Sequence, residues 1–193
     1  MAICGQISAN IAANCNTPLQ PGTEVVMTLI NREDWLTAAI TYNGSNTEII
    51  ENVVLASGVT GYSYTGIGKS LVPKYELVKG AYSELYNHEV NLKVFDVSPT
   101  AKAQLELLAK GQVVAIIENK YKGTSGDSAF EVYGADSGLV CTQLLREVTS
   151  TDTSGAFDII LKSDEGSLEP HMPNTFFKTD YATTKAIVNG LSA

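Results

Sequence analysis

From Glu84 to Val97 apolar and polar side chains alternate with a period of two, a pattern that only an extended strand sorts onto separate faces. Tyr86, His88, Val90, Leu92 and Val94 share one face; Asn87, Glu89, Asn91 and Lys93 share the other. The first set is therefore expected to be buried and the second wet. His88 stands in the apolar row, where a hydrogen-bonded core histidine is expected rather than a ligand. Shorter runs repeat the theme. Glu24 to Ile30 (EVVMTLI) is apolar on both faces, as a covered strand would be, and Val113 to Ile117 (VVAII) belongs in the middle of a sheet. Ala38 to Tyr42 ends at the turn signal Asn43-Gly44. Ile49, Glu51, Val53 and Leu55 alternate with Ile50, Asn52, Val54 and Ala56. Further strands are expected at Ala129 to Tyr133, at Leu139 to Val148, and around the apolar row Phe157, Ile159 and Leu161. Gly134 to Gly138 and Thr149 to Gly155 read as the breaks between them.

One helix interrupts this series. Ser98 can accept a hydrogen bond from an orphan amide, and Pro99 suits the first helical position, where its missing N–H costs nothing. Ala101, Leu105 and Leu108 form an i, i+4, i+7 stripe, Glu106 and Lys110 make a favourable i, i+4 pair, and Gly111 supplies the stop. After the proline-rich bend Glu169–Pro173, a second short helix is expected from Tyr181 to Asn189, opened by Thr179 or Asp180 and closed by Gly190. Strands and helices do not alternate as βαβ units, which excludes a doubly wound nucleotide fold. The expectation is an α+β chain, mainly antiparallel β, built as a sandwich with one flanking helix.

The chain has 193 residues, enough for one domain with a sizeable core. A single domain over 1–193 is expected, with an N-terminal arm at 1–23, a long loop or hairpin at 58–80, the helix at 99–110 and a C-terminal helix or arm at 179–193. From Met1 to Thr23 there is no charged residue. That composition suits either an arm lying on another surface or a frayed terminus. Gly58, Gly61, Gly66, Gly68 and Gly80 punctuate the excursion, which also carries Tyr62, Tyr64, Leu71, Pro73 and Tyr75. Long loops of this kind tend to be functional, and exposed aromatic side chains often anchor contacts. Tyr62, Tyr64, Leu71 and Tyr75 are thus the candidate subunit interface; the alternative is that they pack the loop onto its own domain.

Charge and cysteine content narrow the function classes. The net charge of −8 disfavours tight nucleic-acid binding, which relies on cationic side chains displacing phosphate counterions. Three cysteines, Cys4, Cys15 and Cys141, with no paired spacing, point to free thiols in a reducing compartment. No apolar run approaches the ~20 residues of a membrane helix, and the opening MAICGQISAN lacks the marks of a secretory signal. The sequon Asn43-Gly44-Ser45 accordingly reads as a turn.

Each motif with chemical potential fails on its context. Gly68-Lys69-Ser70 resembles the end of a phosphate loop, but Ser63 occupies the required earlier glycine position and Pro73 follows where a helix is needed. Gly126-Asp127-Ser128 is followed by Ala129 where a serine-protease motif has glycine, and only His88 precedes it. Glu33-Asp34 and Asp164-Glu165 lie among turn residues, and Asp152 and Asp158 lack calcium-loop spacing. His171 has no histidine or cysteine nearby. The reading is non-enzymatic, with no catalytic residue, no cofactor and no metal.

The stretch from Lys93 through Gly138, which contains VFDVSPTAKAQLELLAKGQVVAIIENKYKGTSGDSAFEVYGADSG, and the C-terminal EPHMPNTFFKTDYATTKAIVNGL resemble the tail tube (major tail) proteins of long-tailed bacteriophages, of the type found in Bacteroidetes phages. The likeness covers about the last 110 residues well and the first 80 weakly. It implies a sandwich or barrel-like tail tube fold with one flanking helix and extended arms. It further implies a virion structural protein, made in the host cytoplasm, that forms stacked hexameric rings around a DNA-conducting lumen. The implied partners are further copies of the chain, with tape measure and tail terminator proteins, and DNA only as transient cargo; no membrane is involved. Competing readings are a capsid decoration or head–tail joining protein and a β-sandwich ligand-binding module. The last would need exposed aromatics, and Trp35 is the single tryptophan.

Overall fold

The computed structural model describes residues 19–80 and 83–192. Most of the expected N-terminal arm, with Cys4 and Cys15, lies outside them. The described residues form a mainly β protein: eleven strands in one large, mostly antiparallel open sheet with three short helices. In chain order these are β1 (Thr23–Asn31), α1 (Arg32–Leu36), β2 (Ala39–Tyr42), β3 (Ile49–Val54), β4 (Tyr62–Thr65), β5 (Leu71–Lys79) and β6 (Glu84–Val94). They continue as α2 (Pro99–Leu108), β7 (Gln112–Asn119), β8 (Phe130–Tyr133), β9 (Leu139–Arg146), β10 (Phe157–Ser163), β11 (Asn174–Phe176) and α3 (Tyr181–Gly190).

The apolar run in β7 makes it the organising strand. One edge pairs with β1; the other is shared by β8 and β9, which follow one another along it on either side of the Gly134–Gly138 loop. Both faces of β7 are covered, so it separates two cores. Val113, Ala115 and Ile117 join Met27, Val90, Leu92, Leu139, Phe157, Ile159 and Leu161 in the first. Val114 and Ile116 join Ile30, Trp35, Ile50, Phe130, Val132 and Phe176 in the second. Each fully buried Ile or Leu here contributes about 2 kcal/mol relative to exposure.

Around the first core the strands run in the hydrogen-bonded order β4-β1-β7-β9-β10-β6-β5, and this path curls back on itself. The hydroxyl of Thr23 donates to the Leu71 carbonyl (2.9 Å), and the Tyr64 hydroxyl donates to the Lys93 carbonyl. Yet β4 and β5 do not pair, so the circuit stays open there. The second core lies on the other face of β7 and β8, under β2, β3, β11, α1 and α3. The β11–β3 pair is parallel, the exception in an otherwise antiparallel sheet.

Both capped helices form where their signals stand. Ser98 Oγ accepts from the Ala101 amide (3.1 Å) and Asp180 caps α3 through the Thr183 amide (2.9 Å). Three expectations are corrected. One flanking helix was expected beside the C-terminal one; α1 adds a third, and Glu33 and Asp34 lie in its first turn rather than in a loop. In β3 the buried residues are Ile50 and Val53, because a register shift opposite Thr41 and Tyr42 leaves Glu51 unpaired and reverses the alternation. In β6 the polar face is not wet: Asn87 and Glu89 are buried beside Glu76 and Lys74 of β5, which bond to them.

Candidate functional site

The segment Gly58–Gly80 contains β4 and β5, which pair with different neighbours: β4 with β1, and β5 with β6. This divides the four candidate interface residues. Tyr62 is 54% exposed on β4 and Tyr75 46% exposed on β5. Leu71 points into the first core, and Tyr64 packs against that core with its hydroxyl tied to Lys93. Burial pushes the Tyr64 phenol above its ordinary range, its bonds to Ser70 and Lys93 opposing this. The structure thus brings Tyr75 to an open sheet edge, leaves Tyr62 exposed on another strand, and turns the other two inward.

That edge can be read bond by bond. Hydrogen-bonded and non-bonded pairs alternate along an antiparallel ladder. The Lys93 amide bonds the Ser70 carbonyl (2.9 Å) and the Gly80 amide bonds the Ser83 carbonyl (2.8 Å). In the same register Val72, Lys74, Glu76 and Val78 direct their backbone groups to β6. Leu71, Pro73, Tyr75, Leu77 and Lys79 therefore direct theirs to the free edge. Two facts agree with this assignment: Thr23 takes the Leu71 carbonyl from that side, and Pro73, which has no N–H, sits where the ladder to β6 does not need one. Beyond Pro73 the edge offers the amides of Tyr75, Leu77 and Lys79, unpaired by any strand among the described residues. Val72, Tyr75, Leu77 and Val78 are exposed around it. Leu77 and Val78 were missed in the sequence because glycines and Pro73 mark the segment as loop; the alternation partner of the row Tyr86–Val94 was the available signal.

Behind the edge lies an aromatic support. Tyr75 and Tyr133 each meet the His88 ring edge-on, with centroids 6.4 and 5.6 Å away. His88 is buried, and both ring nitrogens are engaged: Nδ1 faces the Gly134 amide (3.1 Å) and Nε2 the His171 carbonyl (3.0 Å). An amide can only donate, so Nδ1 accepts and Nε2 carries the hydrogen. Burial lowers its pKa to about 4, keeping the ring neutral. Tyr133 donates to Glu131 (2.7 Å), and burial holds its phenol far above the ordinary value. A groove of about 860 Å³ opens next to these residues, between Leu71–Pro73 of β5 and Asn119–Tyr121.

The other motifs have structural partners. Ser70 Oγ accepts from the Ile67 amide (2.9 Å) and strand β5 follows, so Gly68-Lys69-Ser70 has no helix to hold phosphate. Ser128 Oγ bonds its neighbour Asp127 (3.2 Å) in a turn before β8. Asp164 and Ser167 close a turn across Glu165. His171 is exposed with Glu48 3.7 Å away. Trp35 is buried and donates to the Ala135 carbonyl (3.0 Å), so it offers no stacking surface. Among the described residues no group of three His, Cys, Asp or Glu could hold a metal ion, and no helix is long and apolar enough to cross a membrane. Comparison with protein families, curated proteins and solved structures finds no match to the chain.

Proposed function

We propose that this chain is a non-enzymatic structural subunit that assembles with further copies of itself through open sheet edges, as the tail tube of a phage virion. The observation that carries the reading is the outer edge of β5, where Tyr75, Leu77 and Lys79 present backbone groups that no strand among the described residues pairs, among exposed apolar side chains. Soluble chains normally blunt such edges, since each is a template for another strand. Here Pro73 does so near one end and the exposed Lys79 near the other, and the stretch between them carries Tyr75 and Leu77. The strand order gives the edge counterparts, because among the described residues the branched sheet also ends at β2 and at β4. Pairing of two different edges is heterologous, and such contacts close into rings when the rotation permits.

The resemblance in the second half of the chain supplies the rest of the reading: stacked rings, a sandwich or barrel-like tail tube fold, a lumen for DNA, and tape measure and terminator proteins as partners. A net charge of −8 suits a channel through which DNA passes without adhering. Negative-stain electron microscopy with sizing chromatography of the concentrated protein tests this. Rings or tubes with a central channel are expected. Monomers under all conditions, including in the presence of the tail initiation proteins, would overturn the reading.

A further inference from the structure

The chain contains the dipeptide Asn-Gly twice, at Asn43-Gly44 and at Asn189-Gly190. The first joins β2 to β3; the second ends α3. In the first, the turn holds both ends of the side-chain amide. Oδ1 of Asn43 accepts from the backbone amides of Ser45 (2.9 Å) and Asn46 (3.1 Å). Nδ2 donates to Glu51 Oε1 at 2.6 Å. The Gly44 amide takes part in none of the turn's hydrogen bonds, and the residue is exposed, with open space around the position of a side chain.

We propose that Asn43 is a self-modifying residue, converted in the folded protein to aspartate and isoaspartate. The Gly44 nitrogen, giving up its proton to solvent, bonds to Asn43 Cγ. The charge that develops on Oδ1 is met by the two amide donors already within hydrogen-bond distance of that atom. The Cγ–Nδ2 bond then breaks. Glu51, whose carboxylate accepts from the departing nitrogen at 2.6 Å, takes a proton from solvent and delivers it to that nitrogen, which leaves as ammonia. Water opens the resulting five-membered succinimide at either carbonyl, so the net change is one water consumed and one ammonia released. The product carries a new carboxylate facing Glu51. The isoaspartate form adds a methylene to the main chain of the turn, just after the residue whose amide bonds the Ile49 carbonyl (2.9 Å).

The second dipeptide is the internal control, because its chemistry is the same and its setting is helical. The folded protein is incubated at neutral and mildly alkaline pH, and peptide mapping by mass spectrometry follows the amide-to-acid mass gain at each site. Asn43 is expected to convert at least about tenfold faster than Asn189, and Glu51→Gln to slow Asn43 by about tenfold. Gly44→Ala, which crowds the attacking nitrogen, slows it by at least as much. Equal conversion of both asparagines, no conversion at Asn43, or an unchanged rate in Glu51→Gln would each overturn the proposal. Urea midpoints of both variants show that they are folded, so a slow rate is not a loss of structure.

Discussion

The Gly134 amide donates to Nδ1 of His88 across 3.1 Å, which ties the loop between β8 and β9 to the middle of β6. The same ring donates to the His171 carbonyl and so holds a third segment, and only the neutral tautomer can make both bonds. The pKa of about 4 lies below the ordinary 6.5, with burial as the cause. The unfolded chain therefore takes up this proton first as pH falls. Stability is expected to decrease from pH 6.5 to 4, by up to about 3 kcal/mol from this residue. Urea midpoints across that range check it. His88→Gln should be less stable at pH 7 but show a shallower slope than the parent; an equal slope would mean that carboxylates alone carry the effect.

Glu118 fastens α3 to β7. Its buried carboxylate takes Lys122 Nζ and the Tyr181 hydroxyl, each at 2.5 Å, and Lys185 Nζ at 3.3 Å. Burial alone would raise its pKa, but these bonds outweigh burial and hold it below the ordinary value. Glu118→Ala leaves two ammonium groups and a phenol without their shared acceptor. Because both lysines are partly exposed, the expected cost is about 2 kcal/mol rather than that of a fully buried pair. Hydrogen exchange should quicken in α3 before it does in β7. Uniform quickening throughout the sheet would contradict a local fastening.

Gly134 and Gly58 both have positive φ, +75° and +82°, but a side chain would meet different surroundings. At Gly134 a Cβ would fall 2.8 Å from Leu139 Cγ and 3.0 Å from the Leu139 nitrogen. At Gly58 nothing lies within 4 Å. Gly58→Ala is expected to cost about 1 kcal/mol, the strain of the left-handed conformation. Gly134→Ala adds overlap with core backbone and should cost about 3 kcal/mol. Comparable melting temperatures for the two variants would show that the loop can shift without loss.

Much of this fold is legible in local pattern, and the failures have physical causes. The capped helices α2 and α3, the central position of β7 and the buried row of β6 follow from side-chain period and capping chemistry. Asn87 and Glu89 did not show their burial, because the residues that cover them, Glu76 and Lys74, lie eleven and fifteen positions earlier on a strand disguised by glycines and Pro73. The three residues of β11 are too few to carry a period, and a bulge at Glu51 hid the true inward face of β3. Of the candidate interface, Tyr62 and Tyr75 are exposed while Leu71 and Tyr64 serve the core. Residue type marked the segment, but only strand register separates the residues at its edge from those beneath it.

That register also gives the most selective test of assembly. Leu77 is 47% exposed and its amide faces the open edge, whereas the amide of Val78 faces β6. Proline at 77 removes an edge donor without removing a ladder bond, as Pro73 already does four residues earlier. Proline at 78 removes a bond that holds the hairpin. Leu77→Pro should therefore leave a folded subunit, with a urea midpoint close to the parent's, and prevent strand addition at β5. Val78→Pro should destabilise the hairpin itself, by about 3 kcal/mol. Sizing chromatography and electron microscopy read the first effect, and urea unfolding reads the second. Normal tubes from Leu77→Pro would remove β5 from the interface. Loss of assembly with the fold intact would place the contact at Leu77, since the exposed side chains of Val72, Tyr75 and Val78 are the same in both proteins.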